Sequence, residues 1–296
     1  MTQNAQSEPN PQNPQGTRNT QGAPAEGSAA TTLVIGGTGK TGARVAGALT
    51  ALGHPVRVGS RTGEPPFDWN VPATWEPALE GVDRVYVTYY PDLAFPGAAE
   101  QVGAFSRAAV AAGARRLVLL SGRGEEAAQR AEEGLKASGA EWTVVRAAWF
   151  HQNFDQGFFL DPVLAGEITL PTADAVEPFV DAGDIADVVV AALTDDRHIG
   201  RTYELTGPRL LSFHDVAAEL SKATGREITY VPVTGEAYRA VLREHGLPEE
   251  FADLFTLILD GRNAQLTDAV EEVLGRRPRD FADFARKTAA TGVWNV

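Results

Sequence analysis

Hydrophobic positions along the chain fall into short β-branched runs separated by longer segments with helical spacing. Thr32 to Ile35 is β-branched and apolar and predicts a strand. Lys40 to Leu52 is alanine-rich with a helical stripe through Val45 and Leu49, and Gly53 stands where a helix C-terminus takes a left-handed residue. Pro55 to Val58 resumes a strand. Further strands are predicted at Arg84 to Thr88, Arg115 to Leu120 and Trp142 to Val145, with helices at about Gly97 to Ala112 and Glu125 to Ser138. Such alternation specifies a doubly wound α/β fold, a parallel sheet with helices on both faces. Strands near Val180 and Tyr203 are expected to continue it. A smaller, mainly helical C-terminal lobe is then predicted from His214 to Ala223 (helix), Glu227 to Val231 (strand) and Pro248 to Leu259 (helix). In the last helix Phe251, Leu254, Phe255, Ile258 and Leu259 form one apolar stripe, which reads as core or as a lid over a pocket.

Residues 1 to 30 differ from the rest: they hold five Gln, four Asn, four Pro and three Gly, with no Val, Ile, Leu or aromatic residue. A segment that can bury so little apolar surface is expected to be a disordered tail. The organisation expected is therefore this tail, a sheet domain over residues 31–207 and the lobe over 208–296. The chain of 296 residues carries 39 acidic and 26 basic side chains, net −13, which argues against nucleic acid or an anionic membrane as a partner. It contains no cysteine, so disulfides, thiolate metal sites and cysteine nucleophiles are absent. Val188 to Leu193, among the longest apolar runs, covers six residues, far short of the roughly 20 of a membrane span. With neither a basic start nor an apolar stretch at the N-terminus, the expectation is a cytoplasmic protein, monomeric or homodimeric.

The sharpest motif is Gly36-Gly37-Thr38-Gly39-Lys40-Thr41-Gly42, between a predicted strand and a predicted helix. Glycines at 36, 39 and 42 allow a tight turn, close backbone approach to a diphosphate and close packing of helix on strand. A P-loop reading of Gly39-Lys40-Thr41 would require glycine at position 34, which is Val34. The end of the second strand chooses between dinucleotides, since an acid there suits a ribose hydroxyl and a cation suits a 2′-phosphate. Here it ends Gly59-Ser60-Arg61, so Arg61, with Ser60 as an added donor, points to NADP(H). Asp68, Thr88 and Ser121 complete the cofactor-binding candidates.

The Tyr-x-x-x-Lys pair that protonates substrates in short-chain dehydrogenases is missing: the residues four places after the six tyrosines are Tyr90, Leu93, Ala94, Gly207, Thr234 and Leu242. The five histidines form no metal signature. Reduction of a ketone needs a proton donor, whereas hydride transfer to an iminium neutralises a charge and needs none, so positioning and electrostatics could suffice. Aromatic residues offer a platform for such an acceptor. Trp149 and Phe150 follow one strand, Tyr89 and Tyr90 another, and Ser121 ends a third; all five are expected to face the crevice beyond the carboxyl ends of the strands. No catalytic residue is assigned, and the substrate expected is a small aromatic or heterocyclic molecule.

The glycine turn, the strand end at Arg61, Leu119-Leu120-Ser121, Thr143-Val144-Val145-Arg146 with Asn153, Phe179-Val180-Asp181 through Asp184-Ile185-Ala186, and Tyr203-Glu204-Leu205-Thr206-Gly207 resemble the NmrA-like branch of atypical short-chain dehydrogenases/reductases. Within it, Pro65-Pro66-Phe67-Asp68-Trp69 and Gly292-Val293-Trp294 look most like the festuclavine/agroclavine dehydrogenase group and its bacterial relatives. The resemblance implies a Rossmann fold, an NADP-type cofactor and, for the fungal members, hydride delivery to a cyclic iminium; quinone or azo-dye reduction is also known in the branch. It implies a lysine where this chain has Ala128 and a tyrosine where it has Gly124. A non-catalytic NAD(P)-sensing regulator is the alternative the branch offers.

Overall fold

The computed structural model describes residues 31–172 and 174–296; the expectation for residues 1–30 lies outside the described residues. The first half alternates strand and helix: β1 (Thr31–Ile35), α1 (Gly42–Ala51), β2 (Val56–Gly59), α2 (Trp75–Leu79), β3 (Val82–Val87), α3 (Ala98–Ala111), β4 (Arg116–Gly122), α4 (Glu126–Lys136) and β5 (Glu141–Ala147). After it come α5 (Leu160–Ala165), β6 (Glu167–Leu170), β7 (Val176–Glu177), α6 (Ala182–Thr194) and β8 (Arg201–Leu205). The remainder is β9 (Leu211–Ser212), α7 (Phe213–Thr224), β10 (Thr229–Pro232), α8 (Gly235–Glu244), α9 (Glu250–Ile258), α10 (Ala269–Leu274) and α11 (Phe281–Ala289).

Six strands pair in parallel in the order β2-β1-β3-β4-β5-β8. Both faces are buried, so successive strand residues enter different cores. Leu33, Ile35, Val85, Val87, Leu117 and Leu119 pack against α2, α3 and α4. Val34, Tyr86, Val118 and Val145 pack against α1, α6 and α10. This explains why the strand sequences read as nearly unbroken apolar runs; each large side chain so buried contributes about 1.5–3 kcal/mol. Because β2 and β3 flank β1, the chain reverses its direction of winding between β1 and β3. A crevice opens beyond their carboxyl ends, where ligands of such sheets bind.

The strand expected near Val180 is a correction: Val180 forms only an isolated bridge with Phe150. The pairing consists of Val180 N–H to Trp149 O at 2.8 Å and His151 N–H to Val180 O at 2.9 Å. It cannot extend, because Pro178 has no N–H to give and Asp181 accepts the Gly183 N–H and starts α6.

A third core of aromatic side chains joins the segment after β5 to the C-terminal elements, among them Phe154, Phe159, Phe179, Phe213, Phe281 and Trp294. Two short strand pairs, β6–β10 and β7–β9, belong to it. The Trp294 indole donates to Phe154 O at 2.9 Å, tying the end of the chain to the segment that follows β5.

Candidate functional site

Gly36 ends β1 with φ +64°, and a Cβ on it would lie 2.7 Å from Thr88 Oγ1 at the end of β3. That hydroxyl donates to Ile35 O at 3.0 Å. At Gly42 a Cβ would lie 2.2 Å from Gly36 O, so α1 seats on the turn only because the position has no side chain. The Gly39 N–H closes the turn onto Gly36 O at 2.8 Å. Those of Thr38, Lys40 and Thr41 donate to no described residue. Unpaired N–H groups at the positive end of a helix form an anion cradle, which fits a dinucleotide diphosphate. The Thr41 hydroxyl is buried and accepts from the Tyr86 hydroxyl at 2.9 Å, which fixes the residue beneath the cradle.

Beyond β2, Ser60 O accepts the N–H groups of Gly63 and Phe67 at 3.1 and 2.8 Å, and Arg61 stands exposed on this loop. Asp68 is engaged by its own loop. Its carboxylate accepts the Asn70 N–H at 2.9 Å, and its carbonyl accepts the Trp75 indole at 3.1 Å. The neighbouring Trp69 indole donates to Thr88 O at 3.0 Å, fastening that loop beneath the end of β3.

A cavity of about 490 Å³ lies past the carboxyl ends of β3, β4 and β5. Tyr89, Tyr90, Ser121, Trp149 and Phe150 all line it, with Lys40 and Thr88 on the side of the glycine turn. Gly36, Thr38, Gly39, Thr41, Gly42, Ser60, Arg61 and Asp68 stand outside this lining. Tyr90, 76% exposed, is at the rim. Tyr89 donates its hydroxyl to Gln101 at 2.8 Å. Trp149 is held by Phe159, Phe213 and Phe255, with ring centroids 5.8, 5.6 and 4.9 Å away. The α9 stripe serves two purposes: Leu254, Phe255 and Ile258 are buried in the lobe core, and with Phe251 they form the cavity's outer wall.

The charges around the cavity fall into two sets. Beneath the floor, the Ser121 hydroxyl donates to Glu132 at 2.8 Å, and Arg146 grips the same carboxylate through two bonds at 2.9 and 2.8 Å. Arg146 and Arg123 both reach Glu204, at 3.2 and 3.0 Å. Burial works against the charged form of Glu132, but the bonds from Arg146 and Ser121 outweigh it and hold the carboxyl below its usual range. In the wall, Asp92 and Glu125 have no such cation. Burial, reinforced by the charge of Asp92, pushes Glu125 up to about 8. Burial also raises Asp92, the Ala94 N–H at 2.8 Å offsetting part of the effect. Behind Arg123 lies Glu177, fully buried, with neither carboxylate oxygen bonded to any described residue. Burial pushes it up to about 8 as well, against the pull of Arg123 and with the push of Asp260.

Lys40 turns out of the phosphate turn and donates to Asn153 Oδ1 at 2.9 Å. Burial lowers its ammonium, and Asp155 offsets part of the shift. Helix α4 puts no phenol and no amine into the cavity lining. Gly124 has φ +77° and a Cβ there would lie 2.5 Å from Asn263 Oδ1, while Ala128 is buried against the sheet. Asp92, Glu125 and Asn153 are lining residues that sequence reasoning did not assign. The signal for the two acids is their place just past the ends of β3 and β4, where ligands of such sheets bind.

Comparison with known proteins gives the following matches. A profile of the NmrA-like family matches residues 126–284, and an NAD(P)H-binding profile matches residues 36–196. An agroclavine dehydrogenase of Claviceps fusiformis is 33% identical over 276 residues, covering 86% of this chain and 96% of the relative. An NAD(P)H azoreductase of Xenophilus azovorans is 32% identical over 284 residues, covering 87% and 98%. The crystal structure of an Escherichia coli NADPH-dependent quinone oxidoreductase complexed with NADPH superposes with TM-score 0.69 at 21% identity, covering 87% of this chain and 99% of that one, a likeness of fold.

Proposed function

The chain belongs to the NmrA-like family and is an NAD(P)-dependent oxidoreductase; from that premise we propose that it is an NADPH-dependent reductase of small conjugated acceptors, iminium-like or quinone-type. The observation that carries this reading is the juxtaposition of the anion cradle with an aromatic cavity, the two joined by Lys40. The residues present fit the dinucleotide. The N–H groups of Thr38, Lys40 and Thr41 would hold the diphosphate, and the exposed Arg61 would hold a 2′-phosphate. When bound, NADPH supplies the hydride.

The chain's own part is to place the acceptor. Trp149, fixed by three aromatic rings, and Phe150 present flat apolar surface, and Tyr89 is steadied by Gln101. The α9 wall excludes water from the far side. Azo compounds and quinones, which appear in the names of the similar proteins, are planar conjugated electrophiles that such a slot suits.

The test is NADPH oxidation against a panel of iminium, quinone and aldehyde acceptors, with dissociation constants for NADPH and NADH on the wild type and Arg61→Ala. Losing one charged phosphate contact costs about 1.5–3 kcal/mol, so NADPH affinity is expected to fall roughly ten- to a hundred-fold while NADH affinity holds. Equal NADPH affinity in the two proteins would make Arg61 a bystander.

A further inference from the structure

A quinone, carbonyl or azo acceptor takes up a proton as well as a hydride, and α4 supplies no donor for it. Of the hydroxyls lining the cavity, Tyr89 donates to Gln101, Ser121 to Glu132 and Thr88 to Ile35 O, while that of Tyr90 stands at the exposed rim. The Lys40 ammonium is anchored on Asn153. Glu125 differs from all of these. Its carboxyl is folded over Gly122, so close that a Cβ there would lie 2.1 Å from Glu125 Cδ, and it makes no side-chain hydrogen bond among the described residues.

Resting on the reductase reading, we propose that Glu125, backed by Asp92 across the cavity wall, is the acid that protonates the heteroatom of the acceptor.

The surrounding charges keep the carboxyl protonated. Asp92 faces it from the loop after β3 and adds negative charge. Arg123, in the same lining, bonds Glu204 and Asn263 O at 2.8 Å and makes no hydrogen bond to Glu125, its Nη2 bonding no described residue. Arg262 reaches only Gly124 O, at 3.4 Å, and is paired with Asp260. Glu132 lies below with Arg146, Glu126 is exposed at the start of α4, and Lys40 stands on the far side by Asn153. With burial the first cause and Asp92 the second, the proton stays on up to about pH 8. An acid of that strength is matched to general acid catalysis near neutrality.

The step balances as follows. The electron pair arrives with the hydride from the reduced nicotinamide onto one atom of the C=O, conjugated quinone or N=N system. The O–H bond of Glu125 breaks, and its proton goes to the oxygen or nitrogen lone pair that forms. The Glu125 carboxylate left behind is reprotonated by water entering at the rim beside Tyr90. An iminium carbon takes the hydride without this proton.

The test uses the full chain and Glu125→Gln, with 1,4-benzoquinone and an N-alkyl cyclic iminium salt as acceptors. Glu125→Gln is expected to lower the ratio of quinone to iminium turnover by about 10²–10⁴-fold. Wild-type quinone turnover should fall above about pH 8, with no such limb for the iminium. Independently of activity, NMR of protein carrying ¹³C-labelled glutamate carboxyls, without cofactor, should show a resonance titrating near pH 8 that Glu125→Gln removes and Asp92→Asn shifts downward. An unchanged quinone-to-iminium ratio overturns the proposal, and so does the absence of that resonance. Iminium reduction without any quinone reduction would also overturn it while leaving the reductase reading intact. Failure with both acceptors would end the reductase reading itself.

Discussion

Glu125, which lines the cavity, and Glu132, seven residues on and beneath its floor, are pushed in opposite directions. Glu132 lies under the floor, fully buried and ionised, because Arg146 and the Ser121 hydroxyl satisfy its oxygens. Glu125 lies in the wall, where burial first and the charge of Asp92 second push it up to about 8. Burial raises both carboxyls, and only at Glu132 do the bonds from Arg146 and Ser121 override it. The floor is a fixed network that holds β4, α4, β5 and β8 in register. The wall is left unpaired and available.

The largest test of that contrast is Glu132→Ala. Breaking one side of a buried pair typically costs about 3–5 kcal/mol; at about 2–4 °C per kcal/mol for a chain of this size, Tm should drop by roughly 10 °C. The loss should be greatest near neutral pH. A carboxyl held below its usual range stabilises the fold above that range, and the contribution disappears as pH falls through its lowered value. Thermal scans that give equal Tm for wild type and variant at pH 7 would place both glutamates in one class.

Glu177→Gln tests the opposite case. Its folded value is raised to about 8, so its stabilising effect is complete at low pH and is lost as pH climbs to that point. The variant should match the wild type at pH 5 and exceed it at pH 8–9 by a few degrees, on the order of 1–3 kcal/mol for a buried charge left without partners. A gain equal at both pH values would mean that the charge is irrelevant.

Asp92→Asn has the smallest expected effect. Removing the like charge should move the Glu125 titration down, but only part of the way, since burial is the larger cause. A complete return to the ordinary glutamate range would reverse the order of the two causes.

The sheet half of the molecule was largely legible in the sequence. Its strands are local β-branched runs, its turns are glycines with one permitted conformation, and Gly53 has φ +80° where the helix was expected to stop. Tyr89, Tyr90, Ser121, Trp149 and Phe150 could be gathered because all follow strand ends, and the rule about strand ends needs no distant contact. The acids could not. Asp92 and Glu125 meet through the pairing of β3 with β4, and Glu132 differs from Glu125 through bonds from Ser121 on β4 and Arg146 on β5 that the sequence does not announce. The C-terminal helices were legible but not the core they join, since Phe154 and Trp294 come together across 140 residues. The bridge at Val180 looked like a strand because Pro178 and Asp181 limit it from either side, an effect that composition hides.

The outer wall of the cavity is carried on α9, whose helical neighbour is α8, not the sheet that bears the glycine turn. Phe251, Leu254, Phe255 and Ile258 form that wall, and of the glycine turn only Lys40 shares the cavity with them. Acceptor choice and cofactor choice are separately heritable in such an arrangement. A lineage could retune this one helix to a new electrophile while its dinucleotide chemistry stays as it is, and a protein engineer could randomise the same four positions for the same end.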